Sequence, residues 1–243
     1  MRVRVVSWNV HGCVGTDRRF DPRRTALLLA SLEPDLVLLQ EVGDNRGIHP
    51  PVDQASTIAA QLGLTCAVGI TLRQGLYGYG NATLTRFPVL DSESVDLSVR
   101  GREPRVALRV VVGRDELRLT TLNVHLGLGP GERRHQLRHL LPAIERQRPL
   151  VLGGDFNDFP PGPVTSTLRH RLFDAGAALQ LSRTYPSRHP LLRLDRVYLS
   201  SEVRLHEIRI ERAAAFRIAS DHLPIVAELE VPTLAAEPAT DPP

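Results

Sequence analysis

The chain contains no lysine. All 30 of its basic residues are arginine, set against 27 acidic ones, for a net charge of +3 over 243 residues. A balance this mild gives no sign of the broad positive field that drives tight, sequence-independent grip on DNA. Arginine's planar, permanently charged fork suits phosphate, although a GC-rich coding sequence produces the same bias. Aromatic residues are scarce, 5% of the chain, so a surface of base-stacking platforms is not expected. Cysteine is scarcer still. Cys13 and Cys66 have neither metal-ligand spacing nor the numbers for a disulfide framework, so free thiols in a reducing compartment are expected. No apolar run approaches the roughly 20 residues of a membrane span. The opening Met1-Arg2-Val3-Arg4-Val5-Val6 enters a strand pattern at once, with no signal-peptide layout. A cytoplasmic protein without a membrane span is therefore expected, and a monomer.

What is present is an ordinary globular composition, 42% hydrophobic and 23% charged, in a chain long enough for an ample core. Strand and helix patterns alternate. Val3 to Trp8 and Leu36 to Gln40 read as buried strands. Pro22 to Leu32 reads as a helix capped by Asp21, and Gln54 to Leu62 as an amphipathic helix closed by Gly63. From Cys66 to Leu122 strand follows strand, through Asn81 to Thr85, Val89 to Leu97, Val106 to Val112 and Leu117 to Leu122, with a hairpin loop at Val112 to Glu116. Pro130 to Gln147 and Val164 to His170 read as helices. Leu150 to Leu152, Leu194 to Leu199, Val203 to Ile210 and Ile225 to Val231 read as strands. Polar loops are expected at Gly12 to Asp21, Gly43 to Pro51 and Leu72 to Tyr79. No repeat or linker interrupts residues 1–231, which read as one domain. The Pro/Ala-rich stretch 232–243 is expected to lack fixed structure.

Six short polar clusters sit beside these apolar runs. They are Ser7-Trp8-Asn9-Val10-His11, Leu39-Gln40-Glu41-Val42, Asn123-Val124-His125-Leu126, Gly153-Gly154-Asp155-Phe156-Asn157-Asp158, Leu194-Asp195-Arg196-Val197 and Ser220-Asp221-His222. Asn9, Glu41, Asp155, Asn157 and Asp221 offer oxygen ligands or polar orienters, a set that selects Mg²⁺ or Mn²⁺ over zinc. Glu41 closes a buried strand, where a carboxylate is costly unless paired or on a metal. Gly153 and Gly154 let the backbone leave its strand, and Asp155 and Asn157, two apart, share a face in extended chain. One can then take a proton from water while the other aims it. His125 and His222 are the imidazole candidates. Asp195, inside a strand-like run, is a buried carboxylate suited to fixing the tautomer of His222.

Taken in order, the segments around these residues resemble the endonuclease/exonuclease/phosphatase superfamily with its deoxyribonuclease I-like fold, from the first strand to the last. The resemblance implies a four-layer α/β sandwich, two packed mixed β-sheets flanked by helices, and a divalent-metal phosphodiesterase or phosphatase using Mg²⁺ or Mn²⁺. Carried over by position, it makes Asn9, Glu41 and Asp221 the metal shell. Asp155 with Asn157 becomes the water-activating pair, and His222 held by Asp195 becomes one imidazole on the phosphate, with His125 the second. Asn81 and, more weakly, Tyr79 resemble phosphate contacts. The apurinic-site endonuclease branch tends to carry Asp where His11 stands and lacks a His at position 125. This chain therefore leans toward the deoxyribonuclease, sphingomyelinase and inositol-phosphatase side and resembles compact bacterial members. Among substrates DNA is slightly favoured. A phospholipid headgroup ester or an inositol or sugar phosphate is the alternative, and a pseudoenzyme scaffold is disfavoured because no catalytic-type position is missing. The segment Arg100 to Arg148 carries 11 Arg against five acidic residues; it reads either as a track for a nucleic-acid backbone or as a solvated face.

Overall fold

The fold is given by a computed structural model that describes residues 1–43, 52–74, 77–146, 148–177 and 183–233. Among these described residues, twelve strands form two mixed six-stranded sheets. The first contains β1 (Arg2–Asn9), β2 (Leu36–Val42), β3 (Thr65–Gln74), β4 (Tyr77–Thr85), β11 (Arg204–Ile210) and β12 (Ile225–Glu230), in the order β11-β12-β1-β2-β4-β3. The second contains β5 (Val89–Asp96), β6 (Val106–Arg114), β7 (Leu117–His125), β8 (Leu150–Asp155), β9 (Phe173–Asp174) and β10 (Asp195–Leu199), in the order β5-β6-β7-β8-β10-β9. Each sheet has one parallel pair at its centre, β1 with β2 and β7 with β8, and antiparallel neighbours on both sides.

Strand alternation builds the layers. Val3, Val5, Leu36 and Leu38 point between the sheets, where they meet Leu108, Val110, Leu119 and Val151. Their immediate neighbours Val6, Trp8, Val37 and Leu39 point outward, against helices α1 (Pro22–Ala30), α2 (Gln54–Leu62) and α5 (Ala214–Ala219). On the other sheet Leu122, Val124, Leu150 and Leu152 pack outward against α3 (Pro130–Arg146) and α4 (Pro163–Arg169). The result is the expected four-layer α/β sandwich. Local signals account for the helix ends. The Asp21 carboxylate accepts from the Arg24 N–H at 2.9 Å with Pro22 in the first turn, and Asp53 accepts from the Ser56 N–H at 3.0 Å. Gly63 closes α2 at φ +65°.

The layer between the sheets turns from apolar to polar toward one end. There the Gln40 side chain donates to Asn123 Oδ1 across the gap at 2.7 Å, and Asn123 Nδ2 donates to the Leu39 and Ala82 carbonyls, both at 2.9 Å. Asn81 Nδ2 crosses in the opposite sense, to the carbonyls of Val106 (3.0 Å) and Asn123 (3.2 Å). These amides tie the sheets together and satisfy backbone groups that a buried site would otherwise leave unpaired.

Three local expectations need correction. Gly153 and Gly154 do not leave the strand but remain in β8. They are demanded by close approach: a Cβ on Gly154, at φ +141°, would lie 1.9 Å from the Val124 carbonyl oxygen, and one on Gly153 2.7 Å from Leu38. Asp155 and Asn157 do not share an extended face, because the strand ends at Asp155 and Asn157 turns to φ +50°. Most of Leu72 to Tyr79 belongs to β3 and β4 rather than a loop. The expectations for 44–51, 75–76, Gln147 and 234–243 lie outside the described residues.

Candidate active site

Because β1, β2, β7 and β8 are mutually parallel within their pairs, their carboxyl ends open on one edge of the sandwich, delivering Asn9, Glu41, His125 and Asp155. The antiparallel β10 starts there with Asp195 opposite Asp155, and the turn ahead of β12 brings Asp221 and His222. A cleft of about 830 Å³ lies over them, lined by Glu41, His125, Asp155, Asn157, Asp221 and His222 together with His11, Tyr79, Arg105 and Tyr185.

Asp155 sits at the floor, 1% exposed. Its Oδ2 accepts from Asn9 Nδ2 at 3.1 Å and lies 3.6 Å from His125 Nε2 and 3.8 Å from His222 Nε2. Its Oδ1 accepts the Asn157 backbone N–H at 3.0 Å, and Asn157 Nδ2 donates to the Leu126 carbonyl at 2.8 Å. The left-handed turn at Asn157 therefore holds the residue against Asp155 by its backbone. The Asn9 amide also donates to Glu41 Oε1 at 2.8 Å, while its own Oδ1 accepts the His11 N–H at 3.1 Å. Asn9 thus presents nitrogen to both carboxylates. Glu41 is at φ +56°, beside a register shift between Leu39 and Val42 in the β2–β4 pairing. A non-glycine residue held in that region stores strain, and the bulge turns the Glu41 carboxylate, 23% exposed, into the cleft.

The two imidazoles are wired differently. His222 Nδ1 lies 2.8 Å from Asp195 Oδ2, which also accepts from the Thr184 hydroxyl. The His222 backbone is pinned as well: its carbonyl accepts from Trp8 Nε1 at 2.9 Å, and its N–H donates to Ser220 Oγ at 3.2 Å. Burial would strip the ring of its proton, but Asp195 and Asp155 outweigh it and push the pKa up to about 10. Burial lifts the Asp155 carboxyl to about 7, with His222 opposing and Asp195 adding to the rise. His125 goes the other way, held well below the ordinary histidine value by burial, then by Arg105 and His222. Its Nδ1 faces Arg105 Nη1 at 3.3 Å.

Arg105 is the residue that sequence reasoning passed over. It is 6% exposed, lines the cleft, and ion-pairs with Glu103 Oε1 at 3.0 Å. In the sequence it is one of 11 arginines in a segment that reads as a track or a solvated face; its only mark is its place directly before the fully buried start of β6. Thr184 and Tyr185 were missed too. Tyr185 stacks on His222 with ring centroids 4.9 Å apart, and no motif announces either. Of the two weaker phosphate candidates, Tyr79 lines the cleft, its hydroxyl pKa raised by burial and by Glu41. Asn81 is absent from the cleft lining and spends its amide nitrogen on the cross-sheet ties.

Glu41, Asp155, Asp195 and Asp221 bring four carboxylates together. Among the described residues their ion-pair partners are histidines only, with no arginine within reach. That surplus of oxygen donors and negative charge fits a hard divalent cation, with Glu41 and the partly exposed Asp221 the accessible ligands. Asp155, Asp195 and His222 also place ligand atoms within 4.8 Å of one another. The 2.8 Å contact between His222 and Asp195 is a shared proton's distance, so this trio is a hydrogen-bonded relay rather than a second cation site.

Residues 6–222 match the profile of the Endonuclease/Exonuclease/phosphatase family. The protein YbhP of Escherichia coli strain K12 is 29% identical over 94% of this chain and 96% of its own length. Among solved structures, an endonuclease/exonuclease/phosphatase from Beutenbergia cavernae superposes with a TM-score of 0.78 at 24% identity, covering 95% of this chain and 72% of that one. The mannosyl-6-phosphatase Bt3783 of Bacteroides thetaiotaomicron superposes with a TM-score of 0.75 at 18% identity, covering 94% and 99%.

Proposed function

The chain belongs to the endonuclease/exonuclease/phosphatase family of divalent-metal-dependent phosphoester hydrolases, and from that premise we propose that it cleaves a phosphodiester or phosphomonoester by in-line attack of water. The observation that carries the reading is the convergence on Asp155: one buried carboxylate oxygen within 4 Å of both imidazole Nε2 atoms and hydrogen-bonded to Asn9. In this reading Asp155 accepts the proton of the attacking water. Asn157, tied by its backbone to Asp155, offers its side-chain oxygen to aim that water. His125 and His222 donate to the phosphoryl and leaving oxygens, and Asp195 holds His222 in place. Mg²⁺ or Mn²⁺ held by Glu41 and Asp221 would neutralise charge on those oxygens. Asn9 orients the two carboxylates, and Tyr79 flanks the phosphate side. Residues 1–231 work as one domain in this reading, since both sheets supply the site. The free thiols Cys13 and Cys66 favour a reducing, cytoplasmic setting.

DNA is the substrate class the sequence favours slightly. A second reading, a lipid or other apolar phosphoester, is favoured by one wall of the cleft, where Leu128, Phe159, Leu192 and Leu194 line the opening and Leu128 and Phe159 are 75% and 44% exposed. The test is a Mg²⁺/Mn²⁺ panel of plasmid DNA, abasic duplex, bis-p-nitrophenyl phosphate, sphingomyelin and inositol phosphates. Asp155→Ala and His222→Ala should each lower turnover by orders of magnitude with the fold intact. Near-wild-type rates in either variant would overturn the assignment.

A further inference from the structure

The two imidazoles that face Asp155 are held from behind by groups of opposite character. Behind His222 stands a carboxylate, which accepts a hydrogen bond from Nδ1. Behind His125 stands a guanidinium, which has donors only. With Arg105 Nη1 at 3.3 Å from His125 Nδ1, the contact is a hydrogen bond only if Nδ1 presents its lone pair. The ring proton then belongs on Nε2, the atom that looks toward Asp155 Oδ2 at 3.6 Å and Glu41 Oε1 at 3.8 Å. Glu41 is an acceptor and Asp155 is one when ionised, so the far end of the ring is compatible with the tautomer that Arg105 selects. The guanidinium is in turn fixed, buried at 6% exposure and anchored on Glu103 at 3.0 Å. Glu103, Arg105 and His125 thus form a chain in which each group dictates the orientation of the next.

We infer that Arg105 is a positioning residue that sets the tautomer of His125, holding the Nδ1 lone pair on the guanidinium and the ring proton on Nε2, so that the ring is an oriented hydrogen-bond donor toward the cleft floor. Moving the proton to Nδ1 would set a ring N–H against a guanidinium N–H in a buried space and leave neither with an acceptor there. The two rings are oriented by the character of the partner: an acceptor behind an imidazole keeps the proton on the near nitrogen, and a donor behind it keeps the proton on the far one.

The tautomer is read directly on the full-length protein with ¹⁵N-labelled histidine in buffer containing Mg²⁺, by the ring-nitrogen shifts of His125, assigned by comparison with His125→Gln. The expected result at pH 7 is a ring with its proton on Nε2 and none on Nδ1. An Nδ1–H ring, or a doubly protonated one at pH 7, would overturn the inference. Arg105→Met should release the tautomer and lower kcat by about 10–100-fold with little change in KM, while Arg105→Lys, which keeps a donor, should restore both. A wild-type tautomer and kcat in Arg105→Met would also overturn it. If that variant does not fold, the wild-type spectrum and Arg105→Lys decide. The kinetic comparison rests on the hydrolase reading and the spectrum does not. An Nε2–H His125 in a protein that turns over no phosphoester keeps the tautomer and sinks the hydrolase reading.

Discussion

At His222 burial and charge pull in opposite directions, and charge wins because two carboxylates, Asp195 and Asp155, face one ring. The folded protein keeps that proton to about pH 10, whereas an unfolded histidine releases it near the ordinary value of about 6.5. Between those values the folded state binds the extra proton, so its stabilisation is complete below about pH 6.5 and is lost as the pH rises toward 10. Asp155, raised to about 7, adds a slope of the same sign at lower pH, from the ordinary carboxyl range upward. Urea unfolding of the metal-free protein should therefore show stability falling from pH 6.5 to 9.5, and His222→Gln should flatten that decline. A wild-type stability that rises over this range would contradict the wiring. Glu41 provides the second residue-scale expectation. Mg²⁺ should raise the Tm of the wild-type chain by preferential binding to the folded state. Glu41→Gln should remove most of that shift.

At the level of elements, the site depends on features that carry no catalytic chemistry. Gly154 is required where β8 passes the Val124 carbonyl. Gly154→Ala combines a clash with a backbone angle unsuited to alanine, so it should cost well over about 1 kcal/mol of stability. Thermal or denaturant unfolding checks this, and an unchanged midpoint would show that β7 and β8 can part. Asn123 is a similar case. Its side chain accepts from Gln40 and donates to two carbonyls of the opposite sheet. Asn123→Ala should cost on the order of 1–3 kcal/mol through the groups left unpaired, measured by urea unfolding, and should loosen the sheet edge that carries His125. Sequence reading placed Asn123 in a motif without giving it a task, because its partners are backbone groups more than 40 positions away.

For the whole molecule, the two sheets act as the jaws of one cleft. One supplies Asn9 and Glu41, with His222 beside it, and the other supplies His125, Asp155 and Asp195. The cleft's outer wall, with exposed Leu128 and Phe159, is the candidate place for telling substrates apart. If an apolar alcohol rests on that wall, Leu128→Ser combined with Phe159→Ser should raise KM for sphingomyelin-type esters by about tenfold or more, as expected for losing contacts worth about 1–3 kcal/mol. The same change should leave inositol phosphates nearly unaffected. Equal losses on both would place the discrimination elsewhere in the cleft.

The sequence alone determined most of the strand and helix order and nearly all of the polar residues that meet in the cleft, and the sandwich came with the family resemblance those residues carry. The elements follow from local periodicity and end signals such as Asp21 and Gly63, and the site from short clusters whose residue types suit one chemistry. Only the tertiary structure decided how these residues are wired. Asn9 turned out to offer nitrogen rather than oxygen, Asn157 to be held through its backbone, and Asn81 to tie the sheets. Arg105 emerged from a crowd of arginines. Hydrogen-bond direction depends on which atoms face each other across two sheets, and no spacing along the chain encodes that.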